Sequence, residues 1–86
     1  MARGTIRYWA AAKAAAGVAE EAYEAANLAE VLAAALDRHA GRPEFARVIA
    51  RSSFLVDGTP VGTRSPDAVG LADGATVEVL PPFAGG

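Results

Sequence analysis

Eighty-six residues leave room for one small hydrophobic core, of the size that buries roughly 60–65% of its unfolded surface. The formal net charge is −2, from eight basic and ten acidic side chains interspersed along the chain, which does not make the basic footprint of a nucleic-acid binder. Cysteine is absent, so disulfides, thiolate catalysis and cysteine-ligated metal are excluded, and any sulfur handled here must ride on another group.

Arg3 and Arg7 precede the apolar run Tyr8-Trp9-Ala10-Ala11-Ala12, but Lys13 interrupts it, and no stretch approaches the length of a membrane span. A cytoplasmic protein with no membrane partner is expected. Thr5 to Trp9 alternates, with Ile6 and Tyr8 on one side and Arg7 and Trp9 on the other, and predicts a first strand. The alanine-rich segment Ala10 to Ala16 predicts about one or two helical turns, stopped by Gly17. Glu20 to Ala25 is a second strand, weak by pattern and inferred because a lone first strand needs a neighbour.

A longer helix is expected from Leu28 to about His39. Asn27 is a capping residue, Glu30 follows three positions on, and Leu28, Val31, Leu32, Ala35 and Leu36 share a face. Gly41 is expected to end it, and Pro43 to open a short helix to Ile49 that offers Phe45, Val48 and Ile49 to the core. Phe54-Leu55-Val56 reads as a strand running into the Asp57-Gly58 turn. Turn-rich residues Thr59 to Asp67 and Leu71-Ala72-Asp73-Gly74 follow. A last strand, Ala75 to Leu80, puts Val77 and Val79 on one face and Glu78 and Leu80 on the other.

This order predicts an α+β domain over residues 1–80 with one helix across a sheet. Ile6, Tyr8, Val77 and Val79 would pack against Leu28, Leu32 and Leu36. The opposite sheet face would carry Trp9 and Leu80, and Leu55 with them, beside Arg7 and Glu78, an apolar patch of the kind that marks partner surfaces. Coverage of Trp9 by the Ala10–Gly17 segment is the competing arrangement.

Few side chains suggest catalysis. His39, the single histidine, falls near a helix end, where it is expected to face solvent or the helix dipole. A zinc site would need ligands that are missing, and neither phosphate-binding glycine motif occurs, so no metal or cofactor is expected on this chain. Ser52 and Ser53 have no base partner. Glu20, Glu21 and Glu24 read as a solvated surface, as do Arg38, Arg42, Arg47 and Arg51.

The last residues, Pro81-Pro82-Phe83-Ala84-Gly85-Gly86, carry the strongest functional signal. Two prolines restrict the base of a flexible tail, 81–86, to extended conformations. Two glycines without Cβ atoms can then lie in a channel too narrow for other side chains. The reactive group of such a tail is the Gly86 carboxylate. A carboxylate is a poor electrophile, so loading it requires activation, typically as an acyl-adenylate made by an ATP-using partner. Replacing its oxygen with sulfur gives a thiocarboxylate, a soft nucleophile ionised at neutral pH.

The segments Arg7-Tyr8-Trp9-Ala10-Ala11-Ala12-Lys13 with Gly17, Val56-Asp57-Gly58, and Leu71-Ala72-Asp73-Gly74 through Val79-Leu80-Pro81-Pro82 to Gly85-Gly86 resemble the small subunit of molybdopterin synthase, of the ubiquitin-like sulfur carriers. The resemblance implies a β-grasp fold, a mixed sheet of four to five strands with the first and last side by side and one main helix on one face. It also implies that a ubiquitin-activating-like adenylyltransferase activates Gly86 with ATP and that a sulfur donor protein converts it to thiocarboxylate. The tail would then enter the large synthase subunit, where catalysis resides, and give sulfur to cyclic pyranopterin monophosphate. Lys13 and Leu80 match positions that touch the activating enzyme in that family; lysine supplies a point charge where arginine would supply a bidentate fork. Sulfur carriers for thiamine or cysteine synthesis share the fold and ending, a ubiquitin-like modifier would join the same carboxyl to lysines, and a plain binding domain would leave the tail inert.

Overall fold

The computed structural model describes residues 1–82; Phe83, Ala84, Gly85 and Gly86, and so most of the expected tail, lie outside the described residues. The elements run β1 (Ala2–Tyr8), α1 (Ala10–Ala16), β2 (Glu20–Ala25), α2 (Leu28–Arg38), α3 (Pro43–Arg51), β3 (Ser53–Val56), β4 (Thr59–Pro60), a 3₁₀ turn (Pro66–Ala68) and β5 (Thr76–Leu80). The strands form one sheet in the order β2-β1-β5-β3-β4. At its centre β1 and β5 run parallel, with Ile6 opposite Val77 and Tyr8 opposite Val79, while every other pairing is antiparallel. The result is the α+β arrangement expected, with a mixed sheet.

Local chemistry accounts for the element ends. Gly17 stops α1 in the left-handed region (φ 79°), and its N–H donates to the Lys13 carbonyl at 2.9 Å. Asn27 accepts from the Glu30 N–H at 2.9 Å, and the Glu30 carboxylate accepts from Ala26 N–H at 2.8 Å, a capping box reaching one residue further back than usual. Helix α2 stops at Arg38, before Gly41, with His39 as its C-cap. Asp57 and Gly58 both have positive φ (49° and 81°), the type I′ hairpin turn that matches strand twist. The Asp57 carboxylate also accepts from Thr76 N–H at 2.9 Å, tying the turn to the start of β5.

Strand β1 begins at Ala2, three residues before the expected Thr5, because Ala2, Arg3 and Gly4 pair with Ala25, Glu24 and Tyr23. Gly4 is required there. A Cβ at that position would meet the Ala75 carbonyl and stand 2.5 Å from the Tyr23 hydroxyl, which crosses the glycine to donate to that carbonyl at 2.8 Å. Burial, then the Asp57 and Asp73 carboxylates, push the Tyr23 phenol above its ordinary pKa. Tyr23 therefore anchors the strand that was weak by pattern.

The core lies between the sheet and α2: Ile6, Tyr8, Leu28, Val31, Phe45, Val77 and Val79 are almost wholly buried. Leu36, expected in this core, is instead 37% exposed. At about 100° per residue the buried side chains Leu28, Val31 and Ala35 define one direction. Leu32 sits at the stripe's edge and is half-buried, and Leu36 falls a further step round.

Candidate functional site

The sheet face turned away from α2 is organised around the β1–β5 pair. Arg7 stands opposite Glu78 in parallel register, with Glu20 on its other side and Leu55 beyond Glu78. Trp9 leaves the strand as the N-cap of α1, but its N–H still donates to the Val79 carbonyl at 3.2 Å, carrying the ladder one step past Tyr8. Its indole N–H donates to Glu78 Oε1 at 3.0 Å, and the Arg7 guanidinium carbon lies 5.9 Å from the ring centroid. Arg7 also pairs with Glu20 at 3.5 Å. Trp9 remains 43% exposed, so α1 does not cover it, and of the two arrangements expected the covered one is not found.

Strand β5 ends beside this indole. Leu80, opposite Ser53, and Pro81 are half-buried, and Pro82 is exposed. Ala10 follows Trp9 at φ 47°, an unusual left-handed conformation for a residue with a Cβ, which turns the chain directly from β1 into α1. Lys13 is exposed one turn along, its N–H donating to the Trp9 carbonyl at 3.3 Å. The structure thus gathers Arg7, Trp9, Lys13, Leu80, Pro81 and Pro82 at one end of the central strand pair. The other expected site residues, Phe83, Ala84, Gly85 and Gly86, lie outside the described residues.

Two expectations are corrected elsewhere. His39 does not face solvent: its side chain is 9% exposed, tilted against Phe45 (centroids 4.5 Å apart) and edge-on to Tyr8. Glu21 is no solvated carboxylate either. Its Oε2 accepts from the Tyr8 hydroxyl at 2.7 Å, contacts His39 Nε2 at 2.9 Å and lies 3.5 Å from Arg38. Burial alone would raise the Glu21 carboxyl. Hydrogen bonds from His39 and Tyr8, with the charges of His39 and Arg38, outweigh it and hold the carboxyl below its ordinary value. Burial, reinforced by Glu21, pushes the Tyr8 phenol far up. The sequence did carry a signal: Glu21 alternates with Tyr23 and Ala25 and so belongs to the inner face of β2. With its oxygen engaged three ways, the carboxylate closes the open end of the core instead of offering a base to a substrate. Among the described residues, no group of three metal-ligating side chains converges.

Solved structures share this architecture along nearly the whole chain. Small archaeal modifier protein 1 from Methanosarcina acetivorans superposes with a TM-score of 0.82 at 22% identity, over 100% of this chain and 98% of that one. A Pyrococcus furiosus protein described as molybdopterin converting factor subunit 1 gives 0.77 at 26% identity, over 96% and 100%. A chain from the complex of subunits 1 and 2 of the molybdopterin-converting factor of Helicobacter pylori gives 0.70 at 18%, over 98% and 99%. No curated protein sequence matches. The fold is the β-grasp of ubiquitin-like carriers and modifiers. The model of the ThiS family matches residues 6–86, from the second half of β1 through the diglycine, and on that match the chain belongs to the ThiS family.

Proposed function

We propose that this chain is a sulfur carrier for molybdopterin synthesis and that the Gly86 carboxyl is the group that carries the sulfur. A ubiquitin-activating-like adenylyltransferase uses ATP to form the Gly86 acyl-adenylate, and a sulfur donor protein displaces AMP to leave a thiocarboxylate. The loaded tail enters the large synthase subunit, whose residues catalyse sulfur transfer to cyclic pyranopterin monophosphate. The chain itself binds no cofactor. The observation that carries this reading is the delivery of Leu80 and the two prolines, by a central strand, to an exposed edge that also presents Trp9. On this reading Arg7, Trp9, Lys13 and Leu80 are the docking edge, and residues 81–86 are the part threaded into a partner. The Pyrococcus and Helicobacter neighbours, one of them in complex with its subunit 2, support a large-subunit partner. A second reading, conjugation of Gly86 to lysines as a ubiquitin-like modifier, draws support from the Methanosarcina neighbour.

Intact mass separates them. Co-expression with an activating enzyme and a sulfur source should add about 16 Da, oxygen replaced by sulfur at the terminal acyl group. A chain lacking Gly86 should stay unshifted and keep its Tm. An unshifted full-length chain, in the presence of an enzyme that does form its adenylate, would refute the sulfur-carrier reading; Gly86 found joined to partner lysines would establish the modifier.

A further inference from the structure

The outward face of the β1–β5 pair is built in matched rows. In parallel register Thr5 stands opposite Thr76 and Arg7 opposite Glu78. Trp9 keeps an extended backbone (φ −115°, ψ 151°), and with its N–H on the Val79 carbonyl it stands level with Leu80. Side chains alternate along a strand, and Tyr8 and Val79 take the core side, so all three rows face outward. Neighbouring strands lie about 4.8 Å apart, so each row sets two unlike or hydroxyl-bearing side chains beside one another. Yet Arg7 and Glu78 do not satisfy each other: no ion pair joins them among the described residues. Arg7 turns instead to Glu20 at 3.5 Å. Glu78 gives Oε1 to the Trp9 indole N–H at 3.0 Å, and its Oε2 accepts no hydrogen bond among the described residues.

We infer that this face is a self-docking surface whose occupant is a second copy of the chain. The two copies are related by a two-fold axis that runs along the strand direction, midway between β1 and β5. Such an axis lays each β1 over the other copy's β5 at the same height, because a parallel pair is exchanged without being reversed. Arg7 then meets Glu78 of the second copy, and Glu78 meets its Arg7. Trp9 meets Leu80 in both directions, and Thr5 meets Thr76. Charge and shape are thus complementary at every row, and the uncommitted Glu78 oxygen gains a charged donor. Sheets packed face to face lie about 10 Å apart with strands aligned to within roughly 30°, a gap that Arg–Glu and Trp–Leu pairs fill from both sides. Glu20, which falls over Leu55 of the second copy, sits at the rim on edge strand β2, where its side chain keeps the charge in water. The matched area spans two strands, well under the roughly 800 Å² per partner of a standard interface, so association is reversible with a Kd on the order of 100 μM. On the proposed function, this dimer hides the edge that docks, and a partner must compete with the second copy for it.

The test needs this chain alone and so stands apart from any activating enzyme. Sedimentation equilibrium of the full chain from about 10 μM to about 1 mM brackets the expected Kd. The weight-average mass should climb from monomer toward dimer across that range. Arg7→Glu and Glu78→Arg, each by itself, should weaken association at least tenfold, because like charges then face each other at both contacts. An equimolar mixture of the two variants should recover the wild-type association as a heterodimer, since both contacts again join opposite charges. Recovery on mixing also shows that each variant is folded. A wild-type chain that stays monomeric at about 1 mM, single variants that associate undiminished, or a mixture no better than its components would each overturn the proposal. Failure of sulfur loading at Gly86, with this dimer intact, would instead count against the sulfur-carrier reading.

Discussion

Glu21 shows how one carboxylate can hold a core closed. Its oxygen receives the Tyr8 hydroxyl and meets His39, and those two rings pack with Phe45 at one end of the core. A carboxyl whose folded pKa is depressed stabilises only where it is ionised. Its contribution is complete above the ordinary value near 4.5 and is lost as pH falls through the lower folded value. Thermal unfolding followed from about pH 7 to pH 3 should therefore show a decline in Tm below the ordinary carboxylate range that Glu21→Gln flattens. At neutral pH that substitution should cost about 1.5–3 kcal/mol, the scale of hydrogen bonds to a charged group. Parallel Tm curves for the two proteins would show the contact to be energetically idle.

Among the elements, the close crossing of β1, β2 and β5 depends on Gly4. Gly4→Ala would drive a methyl into the Ala75 carbonyl and the Tyr23 hydroxyl, so overpacking and a lost buried hydrogen bond combine to cost about 2–4 kcal/mol. For a domain this small, that is a Tm loss of more than about 10 °C by calorimetry. Adding Tyr23→Phe should recover part of it, whereas strict additivity would disprove a shared clash. Such detail was beyond sequence patterning, because a glycine in a strand looks the same whether it relieves a clash or merely weakens the strand. The elements themselves were legible. Asn27 with Glu30, Gly17 and Asp57-Gly58 punctuate the chain by local chemistry, and local chemistry is visible in sequence. Long-range contacts were not: the inward turn of His39 depends on where Glu21 and Phe45 arrive in space, and Leu36 left the core because the stripe on α2 is narrower than its list of apolar residues.

For the whole molecule, the site was legible as a set of residues, since Arg7, Trp9 and Leu80 follow from strand alternation, but their meeting required the parallel β1–β5 pairing that no local pattern specifies. Leu80→Asp tests that edge. The side chain is half-buried on the face away from the core, so stability should fall by less than about 1 kcal/mol while, on the proposed function, affinity for the activating enzyme drops at least tenfold. Titration calorimetry giving the same Kd for both chains would remove Leu80 from the docking edge. The position of β5 has one more consequence. Because that strand is hydrogen-bonded along both flanks, tension applied through Pro81 is met in shear by β1 on one side and β3 on the other. On the proposed function, a partner that draws in the end of the chain thus pulls on a strand held along both flanks, and the globule can be towed without being unravelled.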